Sequence, residues 1–181
     1  MKLEYRLDKE DFLEYQLYAA SKSSRIKDQR RKSVLIVHLL FLSLGLIFYW
    51  EGEMFLMYCC IASLVISIIF YPIYLKNYYK RHYKNFIEDT YKNRFGKTTT
   101  VSFNDAYIEA NSDSGESKIK LTELEAIVEI QGYFYIKLKS GVTLIISKSK
   151  LESPHLVKEF LNKIAQNLQV SYLTDLDWKW R

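Results

Sequence analysis

The 181-residue chain has little of what catalysis or metal binding requires. Its two cysteines, Cys59 and Cys60, are neighbours in an apolar run, and on a helix they point apart, so no disulfide is expected between them. With no CxxC pair and only three histidines, at positions 38, 82 and 155, a structural zinc site is not expected. No phosphate-binding, dinucleotide-binding or HExxH motif occurs. We therefore predict no catalytic, cofactor-binding or metal-binding residues and no enzymatic activity.

Two long apolar runs are present instead, at residues 33–50 and 54–75, and neither contains a formally charged residue. As helices they reach roughly 27 Å and 33 Å, close to the ~30 Å hydrocarbon core of a bilayer. Only Glu51, Gly52 and Glu53 separate them. The runs predict an antiparallel transmembrane helical hairpin, in which Gly52 can adopt a positive φ at the turn.

The excess positive charge lies beside these runs. Residues 1–32 contain nine Lys or Arg and six Asp or Glu, residues 76–96 contain six and two, and residues 97–181 contain eleven of each. Positive flanks remain on the cytoplasmic side, so we predict a multi-pass protein of the inner or plasma membrane with both termini cytoplasmic. A neutral C-terminal segment is untypical of nucleic-acid binding, which is not expected. The flanking cations are Arg25, Lys27, Arg30, Arg31, Lys32, Lys76, Lys80, Arg81 and Lys84.

The regions outside the hairpin divide into three predicted segments. Residues 1–32 read as a short alternating strand and then a helix that starts after Asp8 and continues into the first span. Residues 76–96 read as a basic helical extension ending at Gly96. Residues 97–181 read as a domain of strands at 98–103, 106–111, 117–121, 123–130, 133–139 and 142–147, with a turn at 112–115. An amphipathic helix follows, beginning at Ser153 and Pro154. The fold class predicted is α+β: the hairpin plus a small antiparallel sheet or partial barrel capped by the C-terminal helix.

Two surfaces are candidates for an interface. Tyr133, Tyr135, Lys137 and Lys139 alternate with the core positions of one strand, which predicts a half-exposed β surface, with a partner-binding or membrane-facing patch as the alternative. The tail at 173–181 contains Trp178 and Trp180 beside cations, a composition that suits a bilayer interface as well as packing on the sheet.

The spans raise two further questions. His38 is interpreted as a neutral, hydrogen-bonded packing residue, with a proton or ion site as the alternative. Small residues at 43–45 and at 62, 63 and 67 permit close helix packing, either within the hairpin or between copies in a homo-oligomer.

Several segments recur together in one known family: the start LEYRLDKEDF (3–12), the Ser/Lys-rich stretch before the first span, the hairpin, and the segments 115–117, 132–135 and 144–146. This combination gives the chain a resemblance to the YcxB-like family of bacterial membrane proteins. It implies a C-terminal domain similar to pleckstrin-homology (PH)-like folds. Ser147 stands where the family often has proline, whereas Lys148 keeps the family's lysine. The resemblance implies fold and topology but transfers no activity.

These observations favour a non-enzymatic membrane protein whose cytoplasmic domain binds a protein partner. The alternative is a module that interacts with anionic lipid through its flanks and tail, or that self-assembles. An enzyme with an unrecognised site is the remote alternative.

Overall fold

The computed structural model of the chain describes residues 1–104, 106–112 and 115–180. Within this part of the chain the helices are α1 (Lys9–Lys22), α2 (Ser24–Trp50), α3 (Met54–Tyr91) and α4 (Pro154–Leu168). The strands are β1 (Lys2–Arg6), β2 (Thr98–Phe103), β3 (Tyr107–Ser112), β4 (Gly115–Lys120), β5 (Leu124–Ile130), β6 (Tyr133–Leu138), β7 (Thr143–Ser147) and β8 (Ser171–Asp175). Residues 113 and 114 of the predicted 112–115 turn lie outside the described residues, as does Arg181 of the predicted tail.

The described chain forms two compact units. The hairpin unit comprises residues 16–85 and Trp180, and the sheet unit comprises residues 1–15 and 86–179. Residues 1–15 therefore pack with the C-terminal segment, although the sequence pattern placed them with the approach to the first span.

The hairpin unit is built on α2 and α3, which are long and apolar enough to cross a membrane. As predicted, α2 ends at residue 50 and α3 begins at residue 54. Gly52 in the turn between them has a φ of +79°. The Ser33 and Tyr71 hydroxyls hydrogen-bond at 2.6 Å between the helices. A Cβ on Gly45 would lie 3.5 Å from the Cβ of Cys60, so this glycine packs within the hairpin.

The approach to α2 differs from the prediction of one continuous helix. Ser23 adopts an extended conformation (φ −71°, ψ 119°) and separates α1 from α2. Its hydroxyl accepts a hydrogen bond from the Ile26 N–H at 3.5 Å, in the N-cap arrangement that serine favours. The prediction is wrong here because the serine side chain competes with the helical backbone for this N–H group.

The first sheet of the sheet unit has the strand order β1-β2-β3-β4 and is antiparallel throughout. β1 pairs with β2, so that Leu3 lies opposite Val101 and Tyr5 opposite Thr99. The inward side chains Leu3, Tyr5 and Val101 are buried. The alternation that identified β1 in the sequence therefore reflects one buried face of this sheet.

The second sheet has the order β7-β6-β5-β8. β8 runs parallel to β5, with Ile127 opposite Tyr172. The prediction that β7 is the last strand of an antiparallel sheet is wrong in this respect. A parallel neighbour needs a crossover connection, and α4 supplies it between β7 and β8.

The amphipathic helix α4 buries the centre of its predicted apolar stripe, at Val157, Leu161, Ile164 and Ala165. Leu156, in the first turn of the helix, is 58% exposed. The helix begins with proline at its first position, as predicted, but the Ser153 side chain forms no capping hydrogen bond.

The helix α1 starts after Asp8, as predicted, and its first turn is capped by a local hydrogen bond. The Asp8 N–H donates to Asp11 Oδ2 at 2.6 Å, and the flanking Leu7 and Phe12 are buried. The Phe12 ring stacks on Tyr91 at the end of α3, with 5.1 Å between ring centroids. The basic extension is helical as predicted, and the chain turns at Gly96 with a φ of +68°.

Candidate functional site

The tyrosine face of β6 is partly covered, with Tyr133 half-buried. Tyr135 is fully buried, and Tyr15 of α1 packs edge-on against it with ring centroids 5.3 Å apart. The Tyr15 hydroxyl also donates to Thr143 Oγ1 at 2.9 Å. The prediction of a half-exposed face is therefore wrong at Tyr135, because α1 lies against this part of the second sheet, but it agrees with the half-buried Tyr133.

A charged network fastens α1 to the sheet. The Tyr133 hydroxyl donates to Asp11 Oδ1 at 3.0 Å, and Lys150 Nζ donates to Asp11 Oδ2 at 2.6 Å and to Asp8 Oδ2 at 2.7 Å. Burial raises the pKa of Tyr133 above its usual range, and the adjacent Asp11 carboxylate raises it further. Burial alone would lower the pKa of Lys150, but its bonds to the two aspartates outweigh that effect and raise it. Both groups keep their protons, and the contact is structural.

The two lysines of the predicted surface have separate surroundings. Lys139 is exposed, and its Nζ donates to the Thr122 carbonyl at 2.7 Å. Lys137 is half-buried on β6. They do not form a continuous surface with the tyrosines, because α1 covers the aromatic part of the strand.

The C-terminal tail is divided between the two units. Residues 171–175 form β8, and the Trp178 N–H donates to the Asp175 carbonyl at 3.3 Å. Trp180 belongs to the hairpin unit, where its Nε1 donates to the Lys76 carbonyl at 3.1 Å. The sequence left two alternatives for the tail, contact with the bilayer interface or packing on the sheet. The part of the tail within β8 packs on the sheet.

The basic flank of α2 is arranged around aromatic rings and a cavity. The Arg30 guanidinium lies 5.2 Å from the Trp180 ring centroid and 5.9 Å from that of Tyr79. Lys27, Arg30 and Arg31 line one end of a cavity of about 760 Å³. The other flanking cations, Arg25, Lys32, Lys76, Lys80, Arg81 and Lys84, are outside its lining.

The histidine in the apolar part of α2 lines the same cavity. The Nε2 atom of His38 is buried and has no hydrogen-bond partner among the described residues. The expectation of a hydrogen-bonded histidine is therefore not met at this atom.

A buried carboxylate that the sequence patterns did not single out lies on β5. Glu129 is 3% exposed and accepts from Lys148 Nζ at 2.7 Å, Lys158 Nζ at 3.0 Å and the Tyr172 hydroxyl at 2.9 Å. Burial opposes ionisation, but these three donors together hold the pKa of Glu129 below its usual value. The carboxylate thereby joins β5, the turn after β7, α4 and β8. The sequence signal was weak, because β5 contains a second acid, Glu125, which is exposed.

An inter-sheet groove of about 720 Å³ lies within the sheet unit. One wall is β4, and the other is formed by residues 142–145 at β7. β4 is at the edge of its sheet, and no described strand pairs with its outer side. Apolar side chains of Tyr5, Leu7 and Phe12 contribute to the lining. The charged lining residues are four cations, which are Arg94, Lys97, Lys118 and Lys120, and two acids, which are Glu116 and Glu123, so the groove has net positive charge.

This groove has two features that suit the binding of an extended peptide. An unpaired strand edge offers backbone N–H and C=O groups, and an apolar wall offers pockets for side chains. Among the described residues, no group of three or more His, Cys, Asp or Glu side chains could hold a metal ion.

The fold and groove define a class of protein: a long apolar helical hairpin attached to an α+β domain. Residues 103–164 match the model of the YcxB-like protein family. The match runs from the end of β2 into α4 and confirms the resemblance to this family drawn from the sequence. No match was found among curated proteins or among solved structures.

Proposed function

We propose that the chain is a non-enzymatic integral membrane protein whose cytoplasmic PH-like domain binds a protein partner. In this proposal α2 and α3 cross the cell membrane, and the sheet unit binds an extended segment of the partner along β4. The observation that carries the proposal is the inter-sheet groove, which combines an unpaired strand edge with an apolar wall.

Membrane insertion is supported by the surface of the hairpin unit. Large apolar side chains remain exposed along both helices, including Ile36 at 63% and Phe55 at 77%. A water-soluble protein seldom exposes so continuous an apolar surface, whereas lipid tails would cover it. The flanking cations and the acidic Glu51 and Glu53 at the turn favour an orientation with both termini in the cytoplasm.

The PH-like assignment is supported by the order of elements in the sheet unit. Two small sheets are followed by an amphipathic helix, α4, whose apolar stripe is buried. β1 and β8 are additions at the two ends of the chain: β1 joins the first sheet and β8 the second.

Binding along β4 is supported by exposure and charge. The first four residues of β4 are exposed, and Ile119 is half-buried beside the groove. Val142 on the facing wall is 55% exposed. An extended peptide added to β4 would place alternate side chains against this wall, and the groove lysines would favour acidic residues beside them.

Two matched substitutions test the proposal. Val142→Glu places a charge in the groove wall, whereas Leu156→Glu places one on the outer face of α4, where leucine is similarly exposed. Full-length chains would be cross-linked in native membranes, purified in mild detergent and analysed by mass spectrometry. We expect a stoichiometric protein partner with the wild type and with Leu156→Glu, and its loss with Val142→Glu. Recovery of the chain alone, or equal retention by both variants, would overturn the proposal.

A further inference from the structure

The cavity beside α2 has a sharp boundary between charged and apolar lining. Lys27 and Arg31 lie one helical turn apart, and Val34, His38 and Leu42 continue the same face of the helix. We name this cavity the basic groove. Pro72 and Leu75 of α3 line it as well. The charged and apolar parts therefore follow each other along the axis of one helix.

The apolar part has the length of one bilayer leaflet. From Val34 to Leu42 the helix rises about 12 Å, compared with about 15 Å for half of the hydrocarbon core. These positions lie within the apolar run of α2, whereas Lys27 and Arg31 lie before it. If α2 crosses the membrane, the cations are at the depth of the lipid headgroups and the apolar wall is at the depth of the acyl chains.

One of the three cations, Arg30, has aromatic rings beside it. The Arg30 guanidinium lies near the rings of Tyr79 and Trp180. The Trp180 ring is itself fixed by the bond from its Nε1 to the Lys76 carbonyl at 3.1 Å. An arginine in fixed surroundings loses less side-chain entropy when it binds a phosphate, and its planar donors match phosphate oxygens.

We propose that the basic groove binds one anionic phospholipid. Its phosphate contacts Lys27, Arg30 and Arg31, and one acyl chain lies along Val34, His38 and Leu42. A free phosphate would leave the apolar wall unused. A zwitterionic phospholipid would bring its own cationic group close to Lys27 and Arg31, whereas an anionic phospholipid brings net negative charge. The combination of the two parts in one groove selects an anionic lipid of the leaflet that contains the basic flanks.

The test uses the full-length chain in neutral detergent, with native mass spectrometry during titration by dioleoyl phosphatidylglycerol or dioleoyl phosphatidylcholine. We expect one tightly bound phosphatidylglycerol, with binding at least tenfold stronger than that of phosphatidylcholine. Lys27→Gln with Arg31→Gln should weaken it by about 25-fold, since each cation near an anionic headgroup contributes about fivefold. The matched control is Lys80→Gln with Arg81→Gln, which removes the same charges outside the groove and should change binding less than threefold.

A second variant tests the acyl-chain part without altering charge. Val34→Trp places a larger side chain in the apolar part of the basic groove and should abolish lipid binding. This variant still tests the proposal if the charge variant does not fold. Equal weakening by both charge variants, equal binding of the two lipids, or undiminished binding by Val34→Trp would each overturn the proposal. Displacement of the lipid by millimolar inorganic phosphate would also overturn it, because the site would then recognise the anion alone.

Discussion

Replacing Glu129 with alanine removes the acceptor that three donors share in the second sheet. The bond from Lys148 Nζ is 2.7 Å long and well shielded, and a charged hydrogen bond of this kind contributes about 2 kcal/mol. The Tyr172 hydroxyl adds about 1 kcal/mol. Lys158, whose side chain is 41% exposed, adds less than about 1 kcal/mol because water replaces the carboxylate. We expect Glu129→Ala to lower the free energy of unfolding by about 3 kcal/mol.

The loss should be concentrated in the elements that the carboxylate joins. Hydrogen–deuterium exchange of the full-length chain in detergent measures it, since 3 kcal/mol corresponds to roughly hundredfold faster exchange in α4 and β8. The matched control is Glu109→Gln, because Glu109 pairs with Lys118 at 2.9 Å on the exposed surface of the first sheet. There we expect little change. Exchange in α4 and β8 within threefold of the wild type after Glu129→Ala would refute the reasoning.

The same carboxylate predicts a pH dependence with a definite sign. The folded state holds the pKa of Glu129 below its usual value, so the folded state binds the proton less readily than the unfolded state. The stability from this group is present above the unfolded pKa of about 4.3 and is lost as the pH falls through the folded pKa. The difference between wild type and Glu129→Ala should therefore shrink below about pH 4. A difference that grows on acidification would contradict this assignment.

Three further predictions concern other parts of the chain. Tyr133→Phe removes the bond to Asp11 and should cost about 1 to 2 kcal/mol, measured as faster hydrogen exchange in α1; unchanged exchange there would argue against the network. His38→Leu removes a buried Nε2 that has no partner among the described residues, so we expect the free energy of unfolding to rise by up to about 2 kcal/mol. The measurement is the thermal midpoint in detergent, which should increase; a lower midpoint would indicate that the imidazole is needed for packing. Glu53→Cys, with the cysteines at 59 and 60 changed to alanine, should react with an impermeant maleimide outside intact cells; reaction only after permeabilisation would reverse the proposed topology.

The elements with strong local signals were predicted well. The ends of the two long helices next to the turn, the strands β2 to β7 and the proline start of α4 follow from long apolar runs, period-two alternation and cap residues. The break at Ser23 was missed because a serine within a helical pattern is compatible with both a continuous helix and a new N-cap.

The candidate site was predicted less well. Alternation on β6 marked Tyr133 and Tyr135 as one face of the strand, but α1 covers that face. The inter-sheet groove was not foreseen, because it is formed by β4 and β7, two edges from different sheets. Neither strand contains information about the other edge.

By itself, the sequence determined the helical hairpin, its charged flanks and the α+β class, because these depend on composition and on spacing between near neighbours. Only the tertiary structure decided that β1 pairs with β2 across about a hundred residues of chain and that β8 joins β5 in parallel. It also decided that Glu129 meets three donors and that the cations of α2 line a cavity shared with α3. The physical reason is that long-range pairing is selected by the burial of whole surfaces, which no local window of sequence contains.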